Sequence, residues 1–153
     1  MSNDIRTLTT RLAEEPASLA FLELGEALRR RGQLEAAYKV ARGGLGRYPG
    51  LAEAHDLLAR ILGDQGDLAG AFDAWAEALR VDPMRTSALK GIAFLYYRAG
   101  NLTEAREHLQ RAADIDPDDH SIAAALERMK PEVSPAGAPA AVPAANGSAV
   151  PIR

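Results

Sequence analysis

Asn101-Leu-Thr-Glu-Ala-Arg-Glu-His-Leu-Gln-Arg-Ala-Ala-Asp-Ile-Asp-Pro117 is the stretch whose reading decides the fold. Gly100 precedes it and a proline closes it. Ala105, Leu109 and Ala112 stand at i, i+4 and i+7, on one face of an α-helix. Small residues at two of those three places predict the close approach of another helix. The same pattern occurs twice more, 34 and 68 residues earlier.

The repetition has a fixed phase. Pro49, Pro83 and Pro117 are 34 residues apart, as are Gly32, Gly66 and Gly100, and Ala37, Ala71 and Ala105. A period of this size predicts stacked supersecondary units. The first half of each unit carries spaced apolar residues: Phe21, Leu24 and Leu28; then Leu58 and Leu62, with His55 in the opening slot; then Leu89, Ile92 and Tyr96. The glycine follows, where a positive φ lets the chain leave the helix without steric penalty. A second helix comes next, and the proline stops it because proline cannot continue an α-helix.

Composition agrees with helices and little else. The chain has 153 residues, room for about one domain, with 47% apolar and only 5% aromatic residues. Its core must therefore be built from Ala and Leu, in thin and closely packed helices. No run alternates apolar and polar with the period of a strand. A net charge of -3 gives no attraction to nucleic acid or an acidic membrane. The absence of cysteine excludes disulfides, thiolate metal sites and a cysteine nucleophile. The first residues lead into a polar amphipathic stretch, and no apolar run approaches the roughly 20 residues that span a bilayer. The expected location is the cytoplasm, without membrane insertion.

These units resemble the tetratricopeptide repeat (TPR) family. The first offers Phe21, Leu24, Gly25, Leu28, Gly32, Ala37, Ala41, Gly44 and Pro49 for its consensus positions. The second offers His55, Leu58, Ala59, Leu62, Gly66, Ala71, Trp75, Ala78 and Pro83, and the third Leu89, Ile92, Ala93, Tyr96, Gly100, Ala105, Leu109, Ala112 and Pro117. The match runs over 102 residues in register. The resemblance implies an all-α fold: an α-solenoid of three helix-turn-helix units in a right-handed superhelix, with an N-terminal helix and a C-terminal capping helix. The expected organisation is an N-terminal helix in residues 1–17 packing on the first repeat, and a TPR domain over 18–130. The domain divides into units 18–51, 52–85 and 86–119 and a cap helix over 120–130. Residues 131–153, where Pro131, Pro135, Pro139 and Pro143 recur among Ala, Gly and Ser, are expected to be a disordered Pro/Ala-rich tail.

Three local expectations follow. Asn3 or Ser2 can cap the N-terminal helix, whose stripe is Ile5, Leu8 and Leu12. The second helix of the first unit has Ala41 in the bulky slot and carries Gly43, Gly44 and Gly46, each costing roughly 1 kcal/mol relative to alanine. It should be the weakest helix, bent or ending early. His55 should be a half-buried histidine at the edge of the array.

No chemistry of catalysis is legible. No histidine pair lies at i, i+4, and Gly43-Gly-Leu-Gly46 lacks the Lys-Ser/Thr of a phosphate loop. Neither a cofactor nor a metal is expected. The resemblance implies a non-enzymatic protein-protein interaction scaffold that binds a peptide or helical segment of a partner in its concave groove. The alternatives are a homo-oligomerisation module, or a regulatory or adaptor part of a larger enzyme assembly. The expected groove residues are Leu22, Glu26, Arg30, Arg60, Lys90, Phe94, Tyr97, Arg98 and Arg128, with Asp56 and Leu57 in the same row. The chaperone-binding subfamily holds a C-terminal carboxylate with Lys, Asn and Arg at positions occupied here by Leu22, Glu26, Leu57, Ser87 and Gly91. None matches, so capture of an acidic chaperone tail is not expected. A partner with an apolar anchor and an acidic portion toward the third unit is.

Overall fold

The structure is a computed structural model and describes residues 4–130. Among them are eight α-helices and no strand: α1 (Ile5–Glu14), α2 (Ala20–Arg30), α3 (Leu34–Arg47), α4 (Ala52–Asp64), α5 (Leu68–Val81), α6 (Thr86–Arg98), α7 (Leu102–Ile115) and α8 (His120–Arg128). The helices form consecutive hairpins, α2/α3, α4/α5 and α6/α7, followed by α8. The chain divides into two compact units between Pro83 and Met84. The N-terminal unit holds α1 to α5 and the C-terminal unit α6 to α8. The tail expected over 131–153 lies outside the described residues.

Each hairpin turns the same way for the same reason. Gly32, Gly66 and Gly100 have φ of 78°, 87° and 86°, the left-handed region that glycine enters freely. In the first hairpin Gln33 N–H donates to Leu28 O and Gly32 N–H to Arg29 O, both at 2.9 Å. Asp67 with Leu62, Gly66 with Gly63, Asn101 with Tyr96 and Gly100 with Tyr97 repeat that pairing. These are the two bonds of a Schellman cap, which satisfy carbonyls that the helix end leaves open. At the other end of the hairpins, Tyr48, Asp82 and Asp116 precede the prolines with φ between -127° and -137°, out of the helical region.

The core is built as the composition requires. Ala37, Ala71 and Ala105 are wholly buried, as are Ala41, Ala78 and Ala112 one helical turn or two further on. Without side chains beyond Cβ they let the paired helix come close. In the C-terminal unit α8 packs on α7, and Ile122 of α8 is buried.

Two local expectations are corrected. The cap of α1 is neither Asn3 nor Ser2 but Asp4, whose carboxylate accepts the Thr7 N–H at 2.8 Å. A residue one place nearer the helix has the shorter reach to that donor. The glycine-rich α3 does not end early: it runs 14 residues, as α5 and α7 do. Gly44 is buried with the Phe21 ring packed over it, and that ring stacks on Tyr48 at 6.2 Å and 4°. An aromatic ring from α2 fills the space that the missing side chain of Gly44 leaves.

Candidate binding surface

The face that α2 and α4 present together in the N-terminal unit is polar and internally paired. Glu26 sits half-buried on α2. Arg29 and Arg30 reach it from one turn further on, at 2.9 Å each, and Arg60 reaches it from α4 at 3.1 Å. Arg29 also bonds Asp64 at 2.8 Å. Burial pushes the Glu26 carboxyl up, but the Arg29, Arg60 and Arg30 guanidinium groups together outweigh it and hold the pKa below the ordinary value. Of the residues expected here, Glu26, Arg30 and Arg60 therefore meet in one cluster, while Leu22 is half-buried on the same helix.

Asp56 and Leu57, expected in the groove, are instead buried, at 1% and 2% exposure. Asp56 accepts a hydrogen bond from Trp75 Nε1 at 2.8 Å, and Arg60 Nε lies 3.7 Å from the same oxygen. Leu57 fills the space beside Gly25, where a Cβ would come within 2.7 Å of it. Asp56 and Leu57 both stand one turn from exposed Glu53 on the same face of α4, so the helix's own rotation does not bury them; α2 covers Leu57 at Gly25, and Trp75 of α5 covers Asp56. His55 is half-buried, its Nε2 2.7 Å from Pro49 O.

The C-terminal unit has a different surface. Lys90, Phe94 and Tyr97 stand at i, i+4 and i+7 on α6 and line a cleft of about 250 Å³ closed on the far side by Arg128 and Ala125 of α8. Leu109 and Met129 give it an apolar floor. Phe94 and Tyr97 are 50% and 48% exposed, a large apolar area to leave in water. Arg98 lies over the outer face of Phe94, its guanidinium 5.7 Å from the ring centre, within range of a cation–π contact. The structure thus brings together four of the five residues expected here around one cleft, with Arg98 beside it.

Lys90 is held by α8. Its Nζ donates to Asp119 at 2.9 Å, and Asp119 caps α8 by accepting the Ser121 N–H at 2.9 Å. The Ser121 hydroxyl, and then Lys90, hold the Asp119 carboxyl well below its ordinary value near 3.8. A carboxyl depressed by folding contributes stability that is present above its unfolded pKa and lost as pH falls through the folded one. The wall of the cleft formed by α8 should therefore keep its place at neutral pH and loosen only in acid below the ordinary aspartate range. Amide exchange at Ser121 followed from pH 6 to pH 2 checks this; exchange that already rises near pH 5 contradicts it.

These pairings leave little trace in the sequence. One signal is available: Glu26 and Arg60 are 34 residues apart, the repeat period itself, so each stands at the same place in successive units. Asp56 with Trp75 and Lys90 with Asp119 have no such signature.

Residues 57–120 match the family model described as tetratricopeptide repeat. Among solved structures, a thermophilic TPR protein of Thermus thermophilus matches with a TM-score of 0.74 at 22% identity, covering 82% of this chain and 70% of that one. MamA matches with a TM-score of 0.71 at 19% identity, over 82% of this chain and 74% of its own. The first TPR of Spaghetti, solved bound to the HSP90 peptide SRMEEVD, matches with a TM-score of 0.69 at 17% identity, over 74% of this chain and 90% of its own. At such identities the likeness is one of fold. A 47-residue stretch is 43% identical to a probable UDP-N-acetylglucosamine–peptide N-acetylglucosaminyltransferase SPINDLY of Petunia hybrida. The stretch is 31% of this chain, which spans only 5% of that relative's length. No helix among the described residues is long and apolar enough to cross a membrane.

Proposed function

This is a tetratricopeptide repeat chain, and from that premise we propose that it is a non-enzymatic module that binds a segment of another protein. TPR folds typically serve as interaction scaffolds, and a structural neighbour of this chain holds a peptide. The single observation that carries the reading is the cleft between α6 and α8, with two half-exposed aromatic rings, an apolar floor and a cationic rim. Aromatic residues beside arginine are the usual anchors of binding surfaces. The ligand that fits is a peptide or helical segment with an apolar side chain for the floor and a carboxylate near Arg128 or Arg98. The HSP90 peptide of the neighbour is not carried over, because the residues here differ from the carboxylate-holding set at every position compared. The domain we propose spans 18–130, with α1 packed on the first repeat and the tail outside it, and the location is the cytoplasm.

Capture from a lysate with wild type and with Phe94→Ala/Arg98→Glu tests the cleft. The double variant should lose at least about tenfold in recovery of the captured partner, the scale of one anchor residue. Recovery of the same proteins with both forms would show the cleft assignment to be wrong. Self-association is the second reading, favoured by the exposure of Phe94 and Tyr97. A mass in solution that is monomeric at all concentrations would sink it.

A further inference from the structure

Three guanidinium groups of the N-terminal unit converge on one carboxylate. Arg29 binds Glu26 through two N–H groups at 3.0 and 2.9 Å, Arg30 at 2.9 Å and Arg60 at 3.1 Å. Asp64 and Asp56 stand behind Arg29 and Arg60. Three cations and three anions cancel, but the donors are not used up: Arg60 Nε is buried and has no hydrogen-bond partner. The cluster therefore offers more N–H groups than its own carboxylates take. Planar guanidinium groups around one centre suit an oxyanion, and an external one would find that centre filled. Glu26 fills it at small entropic cost, because Arg29 and Arg30 follow it by one turn on the same helix.

The repeat gives an internal control. Glu26, Arg60 and Phe94 occupy the same place in successive units, 34 residues apart. Only the first unit puts a carboxylate there.

We propose that Glu26 is a specificity-determining residue: it seats an internal carboxylate in an arginine cluster that would otherwise capture an anion. The face of α2 and α4 then rejects an external oxyanion, the carboxylates of an acidic partner segment included. This rests on the reading of the chain as a binding module, but the arginine cluster can be tested without any partner.

The test is a titration with inorganic phosphate, followed through the arginine Nε–H signals in ¹H–¹⁵N spectra. In wild type, Arg29 and Arg60 should respond no more than the exposed Arg80. In Glu26→Gln their signals should shift saturably, at a phosphate concentration at least about tenfold lower than any wild-type response. Glu26→Gln/Arg60→Gln should lose that gain, and Glu26→Asp should behave as wild type. A silent Glu26→Gln, or a wild type that binds phosphate equally well, overturns the proposal. Circular dichroism melting confirms that each variant folds; if Glu26→Gln does not, Glu26→Met replaces it in the same titration. Failure to capture a partner would strike the binding-module reading alone, since the phosphate titration does not depend on it.

Discussion

Trp75→Ala is expected to lower the free energy of unfolding by about 3–5 kcal/mol, as for other large-to-small changes in a core. Trp75 is 7% exposed on α5, and its Nε1 donates to Asp56 at 2.8 Å. Truncation removes the ring from the α4/α5 hairpin and takes a donor from a carboxylate that is 1% exposed. Both losses act in one direction. Total stabilities of small domains are about 5–15 kcal/mol, so the change consumes a large part of what is available. Trp75→Phe separates the two effects. It keeps most of the apolar area but removes the charged hydrogen bond, and should cost about 1.5–3 kcal/mol. Urea unfolding followed by circular dichroism measures both, since each variant lacks the chain's one tryptophan. A Trp75→Phe variant as stable as wild type would mean that the bond to Asp56 contributes nothing net.

Single alanines along α3 should change stability in opposite senses. Gly43→Ala and Gly46→Ala add a Cβ with no neighbour within 4 Å. They should stabilise by up to about 1 kcal/mol, the difference between glycine and alanine in a helix interior. Gly44→Ala adds the same atom between the two and should destabilise by about 1–3 kcal/mol. There the Cβ would overlap Cδ2 and Cε2 of the Phe21 ring. That ring is 2% exposed and stacked against Tyr48, so it has nowhere to rotate. The clash outweighs the gain in helix propensity. Thermal melting of the three variants reads the signs; a stabilised Gly44→Ala would mean that Phe21 repacks freely.

These two cases also separate what the repeat pattern reveals from what it hides. From sequence alone, the three glycines of α3 look alike and all count against the helix. In the folded chain one of them is a seat for Phe21 and the other two border empty space. Likewise the unit positions placed Glu26, Arg30 and Arg60 on one side of the first helices, and the structure brings them together. The pattern did not show that the three satisfy one another. In the C-terminal unit, Lys90, Phe94, Tyr97 and Arg128 were legible as one row, whereas the role of Asp119 in holding Lys90 was not. Helical spacing tells which side chains share a face. Which of them touch depends on rotamers and on the distance between helices, neither of which a period specifies.

The sequence by itself determined the helices, their order and their turns, because those depend on local sterics. Glycine alone enters the left-handed region without cost, proline alone cannot extend a helix, and a regular period repeats both. Only the tertiary structure decided that Asp56 is buried under Trp75, that Leu57 fills the space left by Gly25, and that Glu26 gathers three arginines. Those outcomes arise where side chains from different helices compete for the same volume and the same hydrogen-bond partners. That competition is settled by packing across the hairpins, and along the chain it leaves no more than the 34-residue spacing of Glu26 and Arg60.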